Sequence, residues 1–372
     1  MPVQPLLPDF GGACLTGVVP GVLGSLYRGE APPAWMPDPV GQGSQVVLLV
    51  LDGLGWQQLA DRRPLAPTLS EGVGGPITSV APSTTACALT SLATGCAPSA
   101  HGVVGYRVAW GHEVMNILAW TVGGVDARMR VPSSAFQPCP SFPGAPGPVP
   151  VVTRYDYGPT GFSAAHLGDA ALHRWYTPAG LVTGVRRLLG DGARFVYAYY
   201  EGIDKVAHAG GLGEYYDDEL VAVDRLVADV LCALPAGATL LVTADHGQVD
   251  VGRAGEVLPG DVMDGVTLLS GEGRFRWLHV RPGACDAVMA AATDSYGDVA
   301  WVRTREQIVA DGWLGGVPSA AVASRMGDVL LAPFAPTAFL DPADTGELRL
   351  EARHGSLTPA EMLVPLISWP SP

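Results

Sequence analysis

An uninterrupted apolar run, Val-Val-Leu-Leu-Val-Leu at residues 46–51, ends at Asp52. A strand that is apolar on both faces is typical of a parallel sheet covered by helices on both sides, because neither face then meets water. Residues 195–200 and 239–243 predict further strands, and residues 215–231 place apolar side chains at helical spacing. This alternation predicts an α/β fold with a mostly parallel central sheet.

Two segments interrupt this pattern. Residues 138–150 are so rich in Pro and Gly that they predict a loop. Residues from about 255 onward differ in character and predict a strand, a helix and a strand, at 275–280, 285–293 and 299–302. We therefore expect residues 255–335 to form a small inserted α+β cap module. Residues 1–254 and 336–372 then form the catalytic α/β core.

Composition limits the partners of the chain. Its 372 residues are 48% hydrophobic and 16% charged, so a large core can be buried. The formal net charge is −14, and Lys and Arg form no cluster beyond pairs such as Arg186-Arg187. A protein that binds a nucleic acid polymer needs a basic face. The acidic balance favours a small phosphorylated substrate, although solubility alone explains it equally well, and the oligomeric state is left undetermined.

The cysteines and the N-terminus bear on the cellular compartment. Six cysteines lack C-x-x-C spacing, which argues against a thiolate zinc site and a disulfide framework: Cys14, Cys87, Cys96, Cys139, Cys232 and Cys285. Residues 1–10 show no basic stretch followed by an apolar core, so no signal peptide is predicted. No uncharged apolar run reaches the ~18 residues of a membrane span. We therefore expect a cytoplasmic protein without a membrane partner.

Acidic residues follow two of the predicted strands. Asp52 and Asp245 come after the apolar runs 46–51 and 239–242. Ligands of open parallel sheets gather at the carboxyl ends of the strands, which makes both residues candidate metal ligands. Either residue could equally cap a following helix or turn.

Asp245 is followed by His246 and Gly247, and the glycine permits a sharp turn that lets the adjacent carboxylate and imidazole face one cation. Carboxylate oxygen with imidazole nitrogen is a ligand mixture expected for zinc or manganese. The alternative is a helix cap beside a surface histidine.

Asp204 and His208 stand at i and i+4, on one face of a helical turn, where a metal pair and a surface ion pair are both possible. His354, between Arg353 and Gly355, is a weaker candidate, because a lone histidine usually has no special role.

The segment Pro82-Ser83-Thr84-Thr85 predicts the start of a helix, with Ser and Thr as capping residues. It could be an ordinary cap. The functional interpretation is a hydroxyl nucleophile, because the free amides and dipole of a helix N-terminus favour a phosphoryl group. A bound dication would lower the pKa of that hydroxyl.

Taken in order, these motifs resemble the alkaline phosphatase superfamily, and its nucleotide pyrophosphatase/phosphodiesterase branch with phosphonoacetate hydrolase relatives in particular. The resemblance rests on motifs between residues 46 and 248 and near residue 354: Leu51-Asp52-Gly53-Leu54-Gly55, Thr84-Thr85 before Leu92-Ala93-Thr94-Gly95, Ala100-His101-Gly102, Glu201-Gly202-Ile203-Asp204 with His208, Asp245-His246-Gly247 and Arg353-His354-Gly355. It implies a three-layer α/β/α sandwich with an inserted cap.

The resemblance also implies roles for individual residues. Asp204, His208 and His354 would hold one zinc ion, and a second zinc ion would be held by Asp52, Asp245 and His246. Mn²⁺ or another divalent transition metal is an alternative. Thr85, rather than Thr84, aligns with the nucleophile, would contact the second metal and would form a phosphothreonine intermediate.

Two positions depart from the branch. An Asn that binds a phosphate oxygen is replaced by Tyr106, for which Asn116 or the Tyr106 hydroxyl could substitute. A Phe after the nucleophile, which stacks on a nucleobase, is replaced by Ala86. Other aromatic residues could supply a platform or belong to the core: Tyr155, Tyr157, Phe162 and Trp175.

The remaining histidines are not predicted to take part in chemistry. His101 is read as structural, and no role is assigned to His112, His166, His173 and His279.

The predicted function is a two-zinc phosphodiesterase or nucleotide pyrophosphatase that acts on a small, nucleotide-like organic phosphate. A phosphomonoesterase or a phosphonate hydrolase at the same site is the alternative. A catalytically silent protein that binds a phosphorylated ligand is the third possibility, since a fold alone does not fix function.

Overall fold

The computed structural model describes residues 3–37, 40, 44–158, 160–252 and 255–370. Its strands are β1 (Gln45–Leu51), β2 (Val73–Thr78), β3 (Arg107–Trp110), β4 (Glu113–Asn116), β5 (Thr121–Val122), β6 (Val125–Asp126), β7 (Pro150–Arg154), β8 (Ala171–Trp175), β9 (Phe195–Tyr200), β10 (Ala238–Thr243), β11 (Val249–Asp250), β12 (Glu256–Val257), β13 (Val266–Glu272), β14 (Phe275–Val280), β15 (Ala300–Thr304), β16 (Val329–Pro333), β17 (Phe339–Leu340), β18 (Ala352–Arg353) and β19 (Leu363–Pro370).

The α-helices are α1 (Leu15–Leu23), α2 (Trp56–Asp61), α3 (Pro67–Ser70), α4 (Thr85–Thr94), α5 (Pro98–His101), α6 (Ser133–Phe136), α7 (Gly161–Leu167), α8 (Pro178–Gly190), α9 (Gly202–Gly210), α10 (Glu214–Cys232), α11 (Gly260–Met263), α12 (Cys285–Tyr296), α13 (Arg305–Ala310), α14 (Ala320–Ala323) and α15 (Pro359–Met362). Within the described ranges, no helix is both long enough and apolar enough to cross a bilayer.

A seven-stranded sheet forms the centre of the molecule, in the order β2-β19-β10-β1-β9-β7-β8. Strands β10, β1, β9, β7 and β8 run parallel to one another, and β19 is antiparallel to both of its neighbours. Leu48 of β1 lies opposite Leu241 of β10 and Tyr197 of β9. Residues 46–51 are completely buried, which confirms the prediction of a strand that is apolar on both faces.

The helices pack in two groups, α1 and α7 against α4, and α3, α8 and α9 against α10. With the sheet, they form the expected three-layer α/β/α sandwich. Helix α10 buries Leu220, Val223, Val227 and Val230, as their spacing predicts. Residues 138–149 are irregular, as expected, whereas Pro150 already begins β7.

A separate four-stranded antiparallel sheet, β13-β14-β16-β15, lies within residues 255–335, and helix α12 packs on it. The strand, helix and strand predicted there are present, and α12 extends to Tyr296. The division of the chain into a core and a cap module stays a prediction, and its boundary at residue 254 falls outside the described residues. A second small sheet, β3-β4-β5-β6, was not predicted.

Candidate functional site

The parallel pairing of β1 with β10 brings the carboxyl ends of these strands together. Val50 lies opposite Thr243, so Asp52 and Asp245 emerge at one edge of the sheet. The Nε2 atom of His246 lies 3.4 Å from Asp52 Oδ1 and 3.5 Å from Asp245 Oδ2. These three buried residues form what we call the His246 group.

A second cluster adjoins the first. Asp204 and His208 lie one turn apart on α9, and Asp204 Oδ1 is 3.2 Å from His208 Nε2 and 3.8 Å from His354 Nε2. We call Asp204, His208 and His354 the His208 group. The rings of His246 and His354 are stacked with their centroids 3.5 Å apart, so the His246 group and the His208 group are in direct contact.

The three imidazole rings are oriented by the backbone. The Nδ1 atoms of His208, His246 and His354 lie 2.7, 3.1 and 3.0 Å from backbone carbonyl oxygens. A proton donated from Nδ1 to a carbonyl oxygen leaves the Nε2 lone pair free to bind a metal. The Nε2 atom of His246 faces Asp52, and the Nε2 atoms of His208 and His354 face Asp204. Imidazole nitrogens and carboxylate oxygens are thus directed at common points, as expected of ligands to one metal ion.

Among the described residues, no Lys or Arg lies within ion-pair distance of Asp52, Asp204 or Asp245, and their ion-pair partners are histidines. Asp52 Oδ1 and Asp245 Oδ2 are buried and accept no hydrogen bond from any described residue. Burial, followed by the neighbouring carboxylate Asp245, raises the pKa of Asp52, and burial also raises the pKa of Asp245. Burial and the nearby His246 and His208 lower the pKa of His354. Buried carboxylates need compensating charge, and Asp52, Asp245 and His246 converge closely enough to hold a divalent metal ion.

Thr85 is the hydroxyl that faces these groups. It is the first residue of α4, and its Oγ1 lies 3.1 Å from His246 Nε2. Thr84 is the N-cap residue and is 2% exposed. Burial raises the pKa of the Glu272 carboxyl, and the proximity of the Thr84 side chain partly opposes that rise. The structure therefore places Thr85 beside the His246 group and turns Thr84 toward Glu272.

Two cavities meet at Thr85, Leu118 and Asp204. The aromatic cavity, of about 170 Å³, is lined by these residues and by Tyr157, Phe162, His166, Tyr199, Glu201 and Lys205, among others. The polar cavity, of about 340 Å³, is lined by the shared residues and by Tyr106, His208, Glu272, Gly273, Glu347, Arg353 and His354, among others.

The two residues predicted to bind substrate have different positions. Tyr106 lines the polar cavity. Asn116 donates a hydrogen bond from Nδ2 to the Tyr106 hydroxyl at 3.0 Å, and its Oδ1 accepts one from the Ala119 amide. Asn116 therefore holds Tyr106 in place, and the substrate-binding role of both residues stays a prediction.

The four aromatic platform candidates separate into two kinds. Tyr157 and Phe162 line the aromatic cavity. Tyr155 stacks on the exposed Tyr176, and Trp175 is buried against Tyr200.

Two histidines outside the His246 and His208 groups, His101 and His166, have different surroundings. His101 is buried and lies 2.9 Å from Ser91 Oγ, and burial lowers its pKa to about 3, as a structural histidine requires. His166 was assigned no role, yet it lines the aromatic cavity.

Several residues at the site were missed by the sequence analysis. The Tyr199 hydroxyl donates a hydrogen bond to Asp52 Oδ2, and Gln248 Nε2 donates one to Asp204 Oδ1 at 2.6 Å. Gln248 follows the Asp-His-Gly motif directly, and Tyr199 lies near the end of a predicted strand, so their positions offered a signal. Glu272 lies in the segment without recognisable motifs and offered none.

Comparisons with known proteins identify the family and the fold. The model of the type I phosphodiesterase / nucleotide pyrophosphatase family matches residues 46–120 and 111–357. A search of curated proteins gives no match. Among solved structures, murine ectonucleotide pyrophosphatase / phosphodiesterase 5 is 15% identical, with a TM-score of 0.66 and 87% of each chain covered. Phosphonoacetate hydrolase from Sinorhizobium meliloti 1021, in complex with phosphonoformate, is 18% identical, with a TM-score of 0.64 and 90% of each chain covered.

The structural likenesses show the fold, and the family match covers most of the chain, including every residue of the His246 and His208 groups and Thr85. The chain therefore belongs to the type I phosphodiesterase / nucleotide pyrophosphatase family, a group of hydrolases in the alkaline phosphatase superfamily.

Proposed function

We propose that the protein hydrolyses a phosphodiester or pyrophosphate bond in a small, nucleotide-like organic phosphate through a phosphothreonine at Thr85. The His246 group would hold one divalent metal ion and the His208 group a second, with zinc as the expected metal and manganese as the alternative. The observation that carries this proposal is the position of the Thr85 hydroxyl, 3.1 Å from His246 Nε2. It lies beside Asp52 and Asp245, each of which has a buried carboxylate oxygen with no hydrogen-bond partner among the described residues.

Bound dications would lower the pKa of the attacking hydroxyl and stabilise negative charge on the phosphoryl oxygens. The residues of the chain supply the geometry. Backbone carbonyls orient the three imidazoles, Tyr199 holds Asp52, and Gln248 holds Asp204. Thr85 at the start of α4 also places the phosphoryl group near free backbone amides, which favour anions.

The reaction takes two displacements at phosphorus. Thr85 Oγ1 releases its proton to solvent and bonds to phosphorus, while the bond to the leaving oxygen breaks and that oxygen takes up a proton from solvent. A water molecule then attacks the phosphothreonine, the Oγ1–P bond breaks, and a phosphate monoester leaves. Two cavities that meet at Thr85 can each receive one organic group of a diester, whereas a monoester has only one such group.

The aromatic cavity supports a nucleotide-like substrate. Ala86 offers no stacking surface after the nucleophile, but Tyr157, Phe162 and Tyr199 supply aromatic rings on the cavity wall. We therefore expect a planar group to bind there. The cytoplasmic location and the absence of a nucleic acid partner stay predictions.

A substrate panel tests the reaction class. We expect kcat/KM for a nitrophenyl phosphodiester to exceed that for the matching monoester and phosphonate. Faster turnover of the monoester, or of the phosphonate, would favour the alternative functions at the same site. Metal-loaded protein that turns over none of the three compounds would point to a ligand-binding protein.

Metal analysis tests the centre independently. Protein purified without chelators should contain close to two transition-metal ions per chain, mainly zinc. Protein that retains no metal after zinc is added back would contradict the assignment of both groups.

A further inference from the structure

We propose that the polar cavity is the leaving-group subsite and that it takes a polyhydroxylated alcohol, such as glycerol or a sugar, bound by Glu272 and Arg353. This inference rests on the proposed function and narrows it, because it favours phosphodiesters of polyols over pyrophosphates and over esters of apolar alcohols.

The position of Thr85 decides which cavity receives the leaving group. In an in-line displacement, the nucleophile and the leaving oxygen lie on opposite sides of phosphorus. Thr85 Oγ1 lies beside the His246 group, so the leaving oxygen lies on the side of the His208 group. His208 and His354 line the polar cavity, whereas Asp52 lines the aromatic cavity. The leaving group therefore extends into the polar cavity, and the retained group into the aromatic one.

Glu272 presents an unsatisfied acceptor at this cavity. It is the last residue of β13 and is 8% exposed, and its Oε1 is buried without a hydrogen-bond partner. Among the described residues, no Lys or Arg lies within ion-pair distance of its carboxyl group. Gly355 makes room for it, because a Cβ there would lie 2.9 Å from Glu272 Cδ. A buried acceptor without a partner costs free energy that a ligand can recover.

Arg353 presents the complementary donor. It is 3% exposed, and its Nε is buried without a hydrogen-bond partner. Its Nη2 donates to the Glu347 carbonyl at 2.5 Å, and its Nη1 lies 3.4 Å from Glu347 Oε1. Arg276 also pairs with Glu347, at 2.5 Å. Arg353 thus pairs with Glu347 through its Nη atoms, while its Nε–H has no hydrogen-bond partner among the described residues.

A hydroxyl group satisfies both sites, because it donates one hydrogen bond and accepts others. An apolar alcohol would leave both groups unsatisfied. An anionic leaving group would pair with Arg353 but face the carboxyls of Glu272 and Glu347, and an ammonium group would have the opposite difficulty. Carboxyl and carboxylate both accept hydrogen bonds from hydroxyls, so the contact with Glu272 is available in either protonation state.

Gly273 packs closely against the two charged residues of the cavity wall, Glu347 and Arg353. A Cβ at this position would lie 2.5 Å from Glu347 Oε1 and 3.2 Å from Arg353 Nη1. The absence of a side chain at this position therefore lets the backbone that follows Glu272 lie directly against Glu347 and Arg353.

Binding to metal-loaded Thr85→Ala protein tests the subsite without turnover. The probes are esters of adenosine 5′-phosphate with glycerol, 1-propanol, ethanolamine and 3-hydroxypropanoate, compared by calorimetry. We expect the glyceryl ester to bind at least tenfold more tightly than the propyl ester and than either charged ester. Equal dissociation constants for the glyceryl and propyl esters, tightest binding of a charged ester, or no measurable binding of the glyceryl ester would each overturn the inference.

Variants of Glu272 in the same background identify the residue responsible. Glu272→Leu removes the acceptor at similar volume and should abolish the tenfold preference for the glyceryl ester, while Glu272→Gln keeps an oxygen acceptor and should retain the preference within threefold. Glu306→Gln is the matched control, because Glu306 lies in the same segment with its side chain 72% exposed. If Glu272→Leu does not fold, the ligand series and a preserved preference in Glu272→Gln decide the outcome.

Turnover by the unmodified enzyme separates this inference from the proposed function. Hydrolysis of the glyceryl and propyl esters with equal kcat/KM would overturn the subsite and leave the phosphodiesterase function intact. Selective binding of the glyceryl ester by Thr85→Ala protein, with no hydrolysis of any diester by the unmodified enzyme, would support the subsite and contradict the function.

Discussion

The His246 group and the buried carboxylates Glu347 and Glu361 differ in how their negative charge is compensated. Glu361 makes a bidentate contact with Arg274 at 2.7 and 2.9 Å, and Glu347 pairs with Arg276 and Arg353. Within the described part of the chain, Asp52 and Asp245 have only His246 within ion-pair distance. Arginine partners compensate the charge of Glu347 and Glu361, whereas the proposed function assigns this role at the His246 group to a metal ion.

Glu272 is the exception within the cavity wall. Burial raises the pKa of its carboxyl to about 8, although nearby Arg276 opposes the rise. Like Asp52 and Asp245, Glu272 has no Lys or Arg at ion-pair distance among the described residues. We therefore assign its carboxyl group to substrate binding, and not to the buried ion pairs that Glu347 and Glu361 form with arginines. Four changes test this contrast between regions that need a ligand and regions that are complete without one.

The largest expected effect is that of Thr85→Ala. Loss of the nucleophile should lower kcat by at least about 10⁴-fold, on the scale of other removed nucleophiles, with little change in metal content. Steady-state kinetics and elemental analysis measure both. Thr84→Ala is the matched control and should keep kcat within about tenfold. Loss of activity in Thr84→Ala alone would mean that the adjacent threonine is the nucleophile.

Glu361→Ala should have the largest effect on stability. It leaves the guanidinium of Arg274 buried without its partner, and both side chains are 0% exposed. The free energy of unfolding should fall by about 3–5 kcal/mol, the usual cost of breaking a buried ion pair. Urea denaturation measures it, with Glu306→Ala as the exposed control. A loss below about 1 kcal/mol would contradict a structural role for this pair.

Asp245→Asn tests whether the His246 group binds a metal ion. The amide keeps an oxygen that can accept the hydrogen bonds now made by Gly53 and His246 to Asp245 Oδ1, but it removes the negative charge. We expect metal affinity at the His246 group to fall by at least about 100-fold, since loss of groups that merely orient ligands costs 10- to 100-fold. Equilibrium dialysis measures this, and Asp250→Asn, on the exposed β11, is the control. Unchanged metal binding would remove Asp245 from the metal centre.

Glu272→Gln should have the smallest effect, and one that depends on pH. Because burial raises the pKa of Glu272 from 4.5 to about 8, the folded state binds this proton more tightly than the unfolded state. The contribution of Glu272 to the free energy of unfolding of the unmodified protein is therefore fully present below pH 4.5 and is lost as the pH rises toward 8.

The amide does not titrate, so Glu272→Gln should match the unmodified protein near pH 4.5 and be more stable by about 2 kcal/mol at pH 6. Thermal denaturation at several pH values measures the difference. A pH-independent difference would show that the carboxyl is not held in a raised-pKa environment.

Many of the candidate site residues could be predicted from short-range sequence patterns. Asp52 and Asp245 follow apolar runs that could only be buried strands, and parallel neighbours bring their carboxyl ends to one edge. The spacing of Asp204 and His208 placed both on one turn of α9. Helix α4 begins at Thr85, close to the predicted start, although the Thr84 side chain makes no capping hydrogen bond. Periodicity and capping are short-range properties, so a single sequence displays them.

Contacts between segments that are far apart in the chain could not be predicted from periodicity or capping. Glu272 reaches the site because β13 ends beside Thr84 and Gly355, and Arg353 pairs with Glu347 only once β18 is in place. The sheet β3-β4-β5-β6 was missed because its strands have only two to four residues, too few for a periodic pattern.

The sequence by itself determined the α/β architecture, the strand-end aspartates and the start of the helix at Thr85, because burial and capping act on neighbouring residues. Only the tertiary structure decided which imidazole faces which carboxylate, that two cavities meet at Thr85, and that Glu272 and Arg353 lie unsatisfied on one of them. Those features depend on packing between segments far apart in the chain, where side-chain direction and distance are set by the whole fold.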